Sequence, residues 1–128
     1  MKDRLERFLA AQQGDYQTAL QEIRAGQKRS HWMWYIFPQA AGLGYSEMAQ
    51  YYAIQDMDEA KAYLQQETLR AHLLEISQAL LDLASDDAAA IMGWPDNLKL
   101  KSSMTLFALA EPECAVFQEV LDKFFQGE

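Results

Sequence analysis

The chain has 128 residues, of which 50% are hydrophobic and 23% charged, and its net charge is −8. That is enough apolar content for one ordinary globular domain with a real core. The acidic balance excludes general nucleic-acid binding, which needs a basic surface against phosphates, and no apolar run approaches the roughly 20 residues of a membrane span.

In chain order, helix signals dominate. The start Met1-Lys2-Asp3-Arg4-Leu5-Glu6-Arg7 is amphipathic and carries two acidic residues, unlike a signal or transit peptide. Leu5, Phe8, Leu9 and Gln12 keep i, i+3, i+4 spacing, and Gly14 is expected to end that helix. Asp15 suits the N-cap of a second helix, with Tyr16, Ala19, Leu20 and Ile23 inward and Gly26 as its stop. After a basic connection, Ser30 is expected to cap a brief helix from His31 to about Phe37, which Pro38 terminates. Gln39 to Tyr45 is the longest connection. Its Gly42-x-Gly44 lacks the third glycine and the preceding strand of a dinucleotide fingerprint. Ser46 caps the next helix, with Met48, Tyr51 and Tyr52 inward.

Asp56-x-x-Glu59 resembles a capping box and starts a helix through Met57, Ala60 and Leu64. Thr68 is the expected cap of the longest helix, whose Leu69, Leu73, Ile76, Leu80 and Leu83 form a 3.6-period stripe. His72 lies beside that stripe, as a partly exposed histidine without a catalytic role. Ser85, Asp86 and Asp87 begin a short helix that Gly93 ends, the aspartates complementing its positive end. Asp96 should then cap a helix from Asn97 to about Ala110. Leu98-Lys99-Leu100-Lys101 alternates as a strand would, but Leu100, Met104 and Phe107 continue at helical spacing. Pro112 suits the first turn of the last helix, where Phe117, Val120, Leu121 and Phe124 face inward. With no convincing strand pair, repeat or linker, the expected fold class is all-α: a compact, irregular multihelical single domain over residues 1–128, of about eight short helices.

One stretch departs from the amphipathic pattern. Lys28-Arg29-Ser30-His31-Trp32-Met33-Trp34-Tyr35-Ile36-Phe37-Pro38-Gln39 is aromatic or apolar at nearly every position from His31 to Phe37. A surface helix buries one stripe only, so this segment is either buried on all sides or lines a cavity with one aromatic face. At least three of Trp32, Met33, Trp34, Ile36 and Phe37 are expected to be plain core.

Charge is segregated around it. Residues 23–46 contain no Asp or Glu and carry Arg24, Lys28 and Arg29; residues 97–110 contain none and carry Lys99 and Lys101. All 19 acids lie elsewhere. Two acid-free basic windows would suit convergence on an anion, which a nearby carboxylate would repel.

The run from Lys28 to Gln39, then Gly42-Leu43-Gly44-Tyr45-Ser46, then Asp96-Asn97-Leu98-Lys99-Leu100-Lys101-Ser102-Ser103-Met104-Thr105-Leu106-Phe107, resembles the family called domain of unknown function 1810. The resemblance covers nearly the whole chain. It implies a small multihelical all-α protein, mostly bacterial, with no established activity. The calpastatin label sometimes given to such proteins does not fit, because calpastatin acts as a disordered chain and this one is helically patterned and half hydrophobic. Family members tend to continue past Phe124-Phe125-Gln126-Gly127 with an acidic and Thr-Leu segment, whereas this chain ends at Glu128.

The residues themselves supply the chemistry. On a helix begun at Ser30, His31, Trp34 and Tyr35 share a face, as Lys99, Ser102 and Ser103 do on the later helix. Lys28, Arg29, Lys99 and Lys101 can hold phosphate by charge-assisted hydrogen bonds, Ser30, Ser102, Ser103 and Gln39 add polar groups, and Trp32 or Trp34 can stack a planar base. The expected partner is an anionic small molecule, phosphorylated or nucleotide-like. An enzyme cleaving a phosphate or N-glycosidic bond would use His31 as acid or base with Glu47 as the carboxylate. A third reading is a protein-interaction domain with a Trp-rich patch. No cofactor or metal is expected: two histidines and the single Cys114 make no zinc pattern. One cysteine allows no internal disulfide and fits a reducing cytoplasm.

Overall fold

The computed structural model describes residues 2–44 and 46–125. Among them are eight helices: α1 Lys2–Arg24, α2 Met33–Ile36, α3 Glu47–Tyr51, α4 Met57–Gln65, α5 Glu67–Asp82, α6 Ala88–Met92, α7 Asp96–Ala110 and α8 Ala115–Phe125. No strand forms among the described residues; a single parallel bridge pairs Ala40 with Ile54. No helix is long and apolar enough to cross a membrane.

The all-α expectation holds, but the first two predicted helices are one. At 23 residues α1 exceeds α5, which has 16. Phe8, Gln12, Tyr16, Ala19, Leu20 and Ile23 are all buried. Their four- and three-residue spacing carries one stripe straight through Gly14, and that tertiary burial outweighs the weak helix propensity of a single glycine.

Caps account for the other boundaries. Ser46 Oγ accepts from Ala49 N at 3.1 Å, and Asp56 Oδ1 accepts from Glu59 N at 2.8 Å while Glu59 Oε1 reaches back to Gln55 N at 2.7 Å. The cap of α5 is Gln66 rather than Thr68, its Oε1 accepting from Leu69 N at 2.8 Å. Asp87 caps α6, with Ser85 Oγ accepting from Asp87 N. Asp96 is the first residue of α7 and makes no cap, and α8 starts at Ala115, so Pro112 precedes it. Met48 and Tyr51 are exposed on α3, where inward positions were expected; only Tyr52 is half-buried. The Gln126-Gly127 motif and Tyr45 lie outside the described residues.

Helix α5 sits between α1, α4 and α8, while α7 packs on α4, α6 and α8. Leu69, Leu73, Ile76 and Leu80 are buried as their spacing predicts, and Leu83 is half-buried at the helix end. Three polar ties fix the packing. The Lys123 ammonium caps α5 by donating to the carbonyls of Leu80, Leu81 and Leu83. Arg70 and Glu111 pair through two bonds of 2.7 Å. The buried Gln12 amide donates to Tyr35 O at 2.7 Å and Tyr63 Oη at 3.0 Å. A carbonyl only accepts, so the amide nitrogen must face Tyr35, and Gln12 Oε1 must accept from His72 Nδ1 at 2.8 Å. That bond fixes the tautomer of the neutral ring, which stacks on Tyr16 at 3.7 Å. Burial lowers the His72 pKa, and Glu75 partly offsets it.

The position of Gly14 gives a direct test of the fused helix. Nothing lies within 4 Å of where a Cβ at residue 14 would stand. Gly14→Ala should therefore stabilise the protein by about 0.5–1 kcal/mol in urea unfolding. A break in the helix at this glycine would instead make the substitution neutral or harmful.

Candidate functional site

The first acid-free window is built around a carboxylate that lies just outside it. Glu22, on the last turn of α1, accepts four hydrogen bonds: Arg29 N at 2.7 Å, Ser30 N at 2.9 Å, Ser30 Oγ at 2.5 Å and Trp32 Nε1 at 2.9 Å. Ser30 is thus turned away from α2 and does not cap it; the helix begins after Trp32 with no side-chain cap. Burial raises the Glu22 pKa, but the bonds from Ser30 Oγ, Arg29 N, Trp32 Nε1 and Ser30 N together outweigh that and bring it to about 2.

The four-residue α2 explains the aromatic run. One helical turn dropped into the core is enclosed on most sides, so Trp32, Met33, Ile36 and Phe37 are buried and Trp34 is half-buried. Tyr35 is buried too. Its hydroxyl donates to Asp15 and its carbonyl accepts from Gln12; burial, then the Asp15 bond, raises its pKa.

The second window also takes its counter-ion from the residue just before it. Asp96 Oδ2 lies 2.9 Å from Lys28 Nζ and Asp96 Oδ1 lies 3.3 Å from Lys99 Nζ. Lys28 also donates to Ser30 O and stands 4.9 Å from the Trp32 ring; Lys99 stands 5.4 Å from the Trp34 ring, within cation–π reach. Two ammonium groups share one carboxylate, and the two windows meet there.

Beside this cluster runs a groove of about 550 Å³ between α7 and the 39–44 segment. Ala40 and Leu43 line it from the first window; Leu98, Lys101, Ser102, Thr105, Leu106 and Leu109 line it from the second. Every described lining residue comes from one of the two acid-free windows, so among the described residues no carboxylate lines it. Lys99 is one turn before Ser102 on the same helix. The Ser102 hydroxyl donates to Leu98 O at 3.2 Å and that of Thr105 to Lys101 O at 2.7 Å, the back-bonding common for hydroxyls within helices. With their protons committed, these oxygens present lone pairs to the groove.

The remaining expected residues fall elsewhere. Arg29 is exposed, its guanidinium donating to Gln27 Oε1 at 3.3 Å. Ser103 is fully buried with its Oγ unpaired. Trp32, Tyr35 and Ser103 therefore cannot reach the groove. Gln39 lines a different hollow, between the 39–44 segment and α3. His31 and Glu47 are both exposed, no hydrogen bond or ion pair joins them, and neither lines the groove. No group of three or more metal-ligating side chains occurs among the described residues.

Sequence reasoning missed Glu22 and treated Asp96 as a cap. The usable signal was their position: each immediately precedes the first residue of an acid-free window.

The Glu22 bonds imply a defined pH dependence. A folded-state pKa of about 2 against an ordinary 4.5 means that the unfolded chain takes up the proton first. The stabilisation is complete above the ordinary value and disappears as pH falls toward 2. Glu22→Gln should cost roughly 2 kcal/mol near neutrality, with the gap between variant and parent closing between pH 4.5 and 2 in urea unfolding. A gap that stays constant across that range would contradict this assignment.

Comparison with known proteins agrees with this architecture. The crystal structure of the conserved hypothetical protein Rv1873 from Mycobacterium tuberculosis, at 1.38 Å, is 44% identical in sequence and superposes with a TM-score of 0.94, covering 97% of this chain and 89% of that one. No protein with a curated description matches. Residues 2–128 match the family described as "Protein of unknown function (DUF1810)", and the chain belongs to that family.

Proposed function

We propose that this protein binds a small phosphorylated molecule, nucleotide-like in joining negative charge to an apolar or planar body, in the groove along α7. The observation that carries the reading is the origin of the lining: all of its described residues are drawn from the two windows without acids, in a chain of net charge −8. A surface that excludes carboxylates against that background favours anions. The volume falls in the roughly 300–1,000 Å³ range of small-molecule sites.

The parts divide the work. Lys101 supplies positive charge at the groove, and Lys99, held between Asp96 and the Trp34 ring, supplies more at its flank. Ser102 and Thr105 offer acceptors, which suit sugar hydroxyls better than phosphate oxygens. Leu43, Leu98 and Leu109 provide apolar contact. Lys28 and the backbone N of Arg29 belong to the internal framework around Asp96 and Glu22, and the Arg29 side chain, though exposed, does not line the groove.

A second reading has an observation behind it. Leu43, Leu98 and Leu109 are 57%, 48% and 64% exposed, and such apolar surface also suits a protein partner. That partner would meet these leucines, because Trp32 is buried.

Thermal melting with inorganic phosphate, pyrophosphate, ribose 5-phosphate and nucleoside monophosphates separates the two. A ligand at 100 times its Kd should stabilise by about 2.7 kcal/mol. Lys101→Ala should weaken binding by about tenfold, or 1.4 kcal/mol, whereas Lys61→Ala, the same charge loss at an exposed position of α4, should leave it unchanged. Absence of any shift with all these anions would overturn the small-molecule reading and favour the protein partner.

A further inference from the structure

The 39–44 segment bounds a second hollow, of about 320 Å³ and more enclosed than the groove. The two meet at Ala40, which lines both. Among the described residues no charged side chain lines this hollow. Its described polar side chains are three primary amides, Gln39, Gln50 and Gln55, and the other described lining residues are alanine and glycine.

Backbone rather than mobile side chains sets its shape. Ala41 N donates to Ile54 O and Ile54 N to Gln39 O, both at 2.8 Å, which pins the segment to the chain entering α4. Gly42, at φ +94°, adopts a left-handed turn that favours glycine. At Gly44 an added Cβ would stand 2.7 Å from Ala49 Cβ, so only glycine lets the segment lie this close to α3.

The lining selects a ligand class. A primary amide presents a donor and an acceptor side by side, the complement of a heterocycle edge bearing an acceptor next to a donor. A charged group here would lose water without meeting an opposite charge. Gln55 Nε2 donates to Ala53 O at 3.3 Å, which leaves its Oε1 to accept, and the half-buried Gln39 amide makes no hydrogen bond to another described residue. Small residues on the remaining wall leave room for a flat, uncharged ring.

We infer that this hollow is a nucleobase site, and that a nucleoside phosphate spans the two cavities with its base among the glutamines and its phosphate at Lys101. The spanning claim rests on the groove reading above; the base site does not.

Titration of the full chain with adenosine, guanosine, cytidine, uridine and ribose 5-phosphate, followed by calorimetry, tests both ends separately. At least one nucleoside should bind. Gln39→Met, which keeps the side-chain length and removes the amide, should weaken that nucleoside by about tenfold or more and leave ribose 5-phosphate unchanged, with an unaltered melting temperature excluding misfolding. Gln55→Met should act the same way. No nucleoside binding to the parent protein at millimolar concentration, or parent-like binding by both variants, overturns the base site. Ribose 5-phosphate binding without nucleoside binding removes the hollow alone; the converse removes the groove alone. A monophosphate that binds no tighter than its nucleoside overturns the spanning ligand.

Discussion

A carboxylate that accepts four hydrogen bonds holds the basic, aromatic part of this molecule in place. Glu22 orders the backbone of Arg29 and Ser30 and fixes the indole of Trp32, so the chain leaves the long first helix along a defined path. Asp96 does the matching work for Lys28 and Lys99. Buried cations are tolerated when paired and hydrogen-bonded, and the side chain of Lys28, only 7% exposed, meets both conditions.

These two internal anions change the meaning of the charge segregation. Within the first window Lys28 is paired internally with Asp96, while Arg24 meets Glu75 at the surface and the Arg29 guanidinium is exposed; on α7, Lys101 lines the groove. The described lining of the groove is acid-free, and the carboxylates that precede the two windows, Glu22 and Asp96, are engaged in the framework. The site therefore depends on residues that do not line it.

Much of this was legible in the sequence, for reasons that can be named. The α5 stripe from Leu69 to Leu80 and the caps at Ser46 and Asp56 follow local rules, and local rules suffice where the interaction spans one or two turns. The two windows were expected to converge on an outside anion; in the structure they meet instead through the carboxylate of Asp96, which pairs with Lys28 and Lys99. The misreadings share a different cause. Gly14 reads as a stop by local propensity, while the spacing of Phe8, Gln12 and Tyr16 across it shows one continuous face. Ser30 reads as a cap until Glu22, eight residues earlier, claims its hydroxyl. The hollow beside α3 depends on Gly44 meeting Ala49 and Ala41 meeting Ile54, contacts that no periodicity announces.

The central division is between framework, Lys28 and the backbone of Arg29, and ligand surface, α7 with the 39–44 segment. Amide chemical-shift mapping during titration with sodium phosphate tests it most directly. Shifts concentrated on residues 40–43 and 98–109, with 22–32 undisturbed, are the predicted result. Shifts centred on residues 22–32 would mean that the anion displaces Glu22 or Asp96 from their internal partners, and would contradict the account.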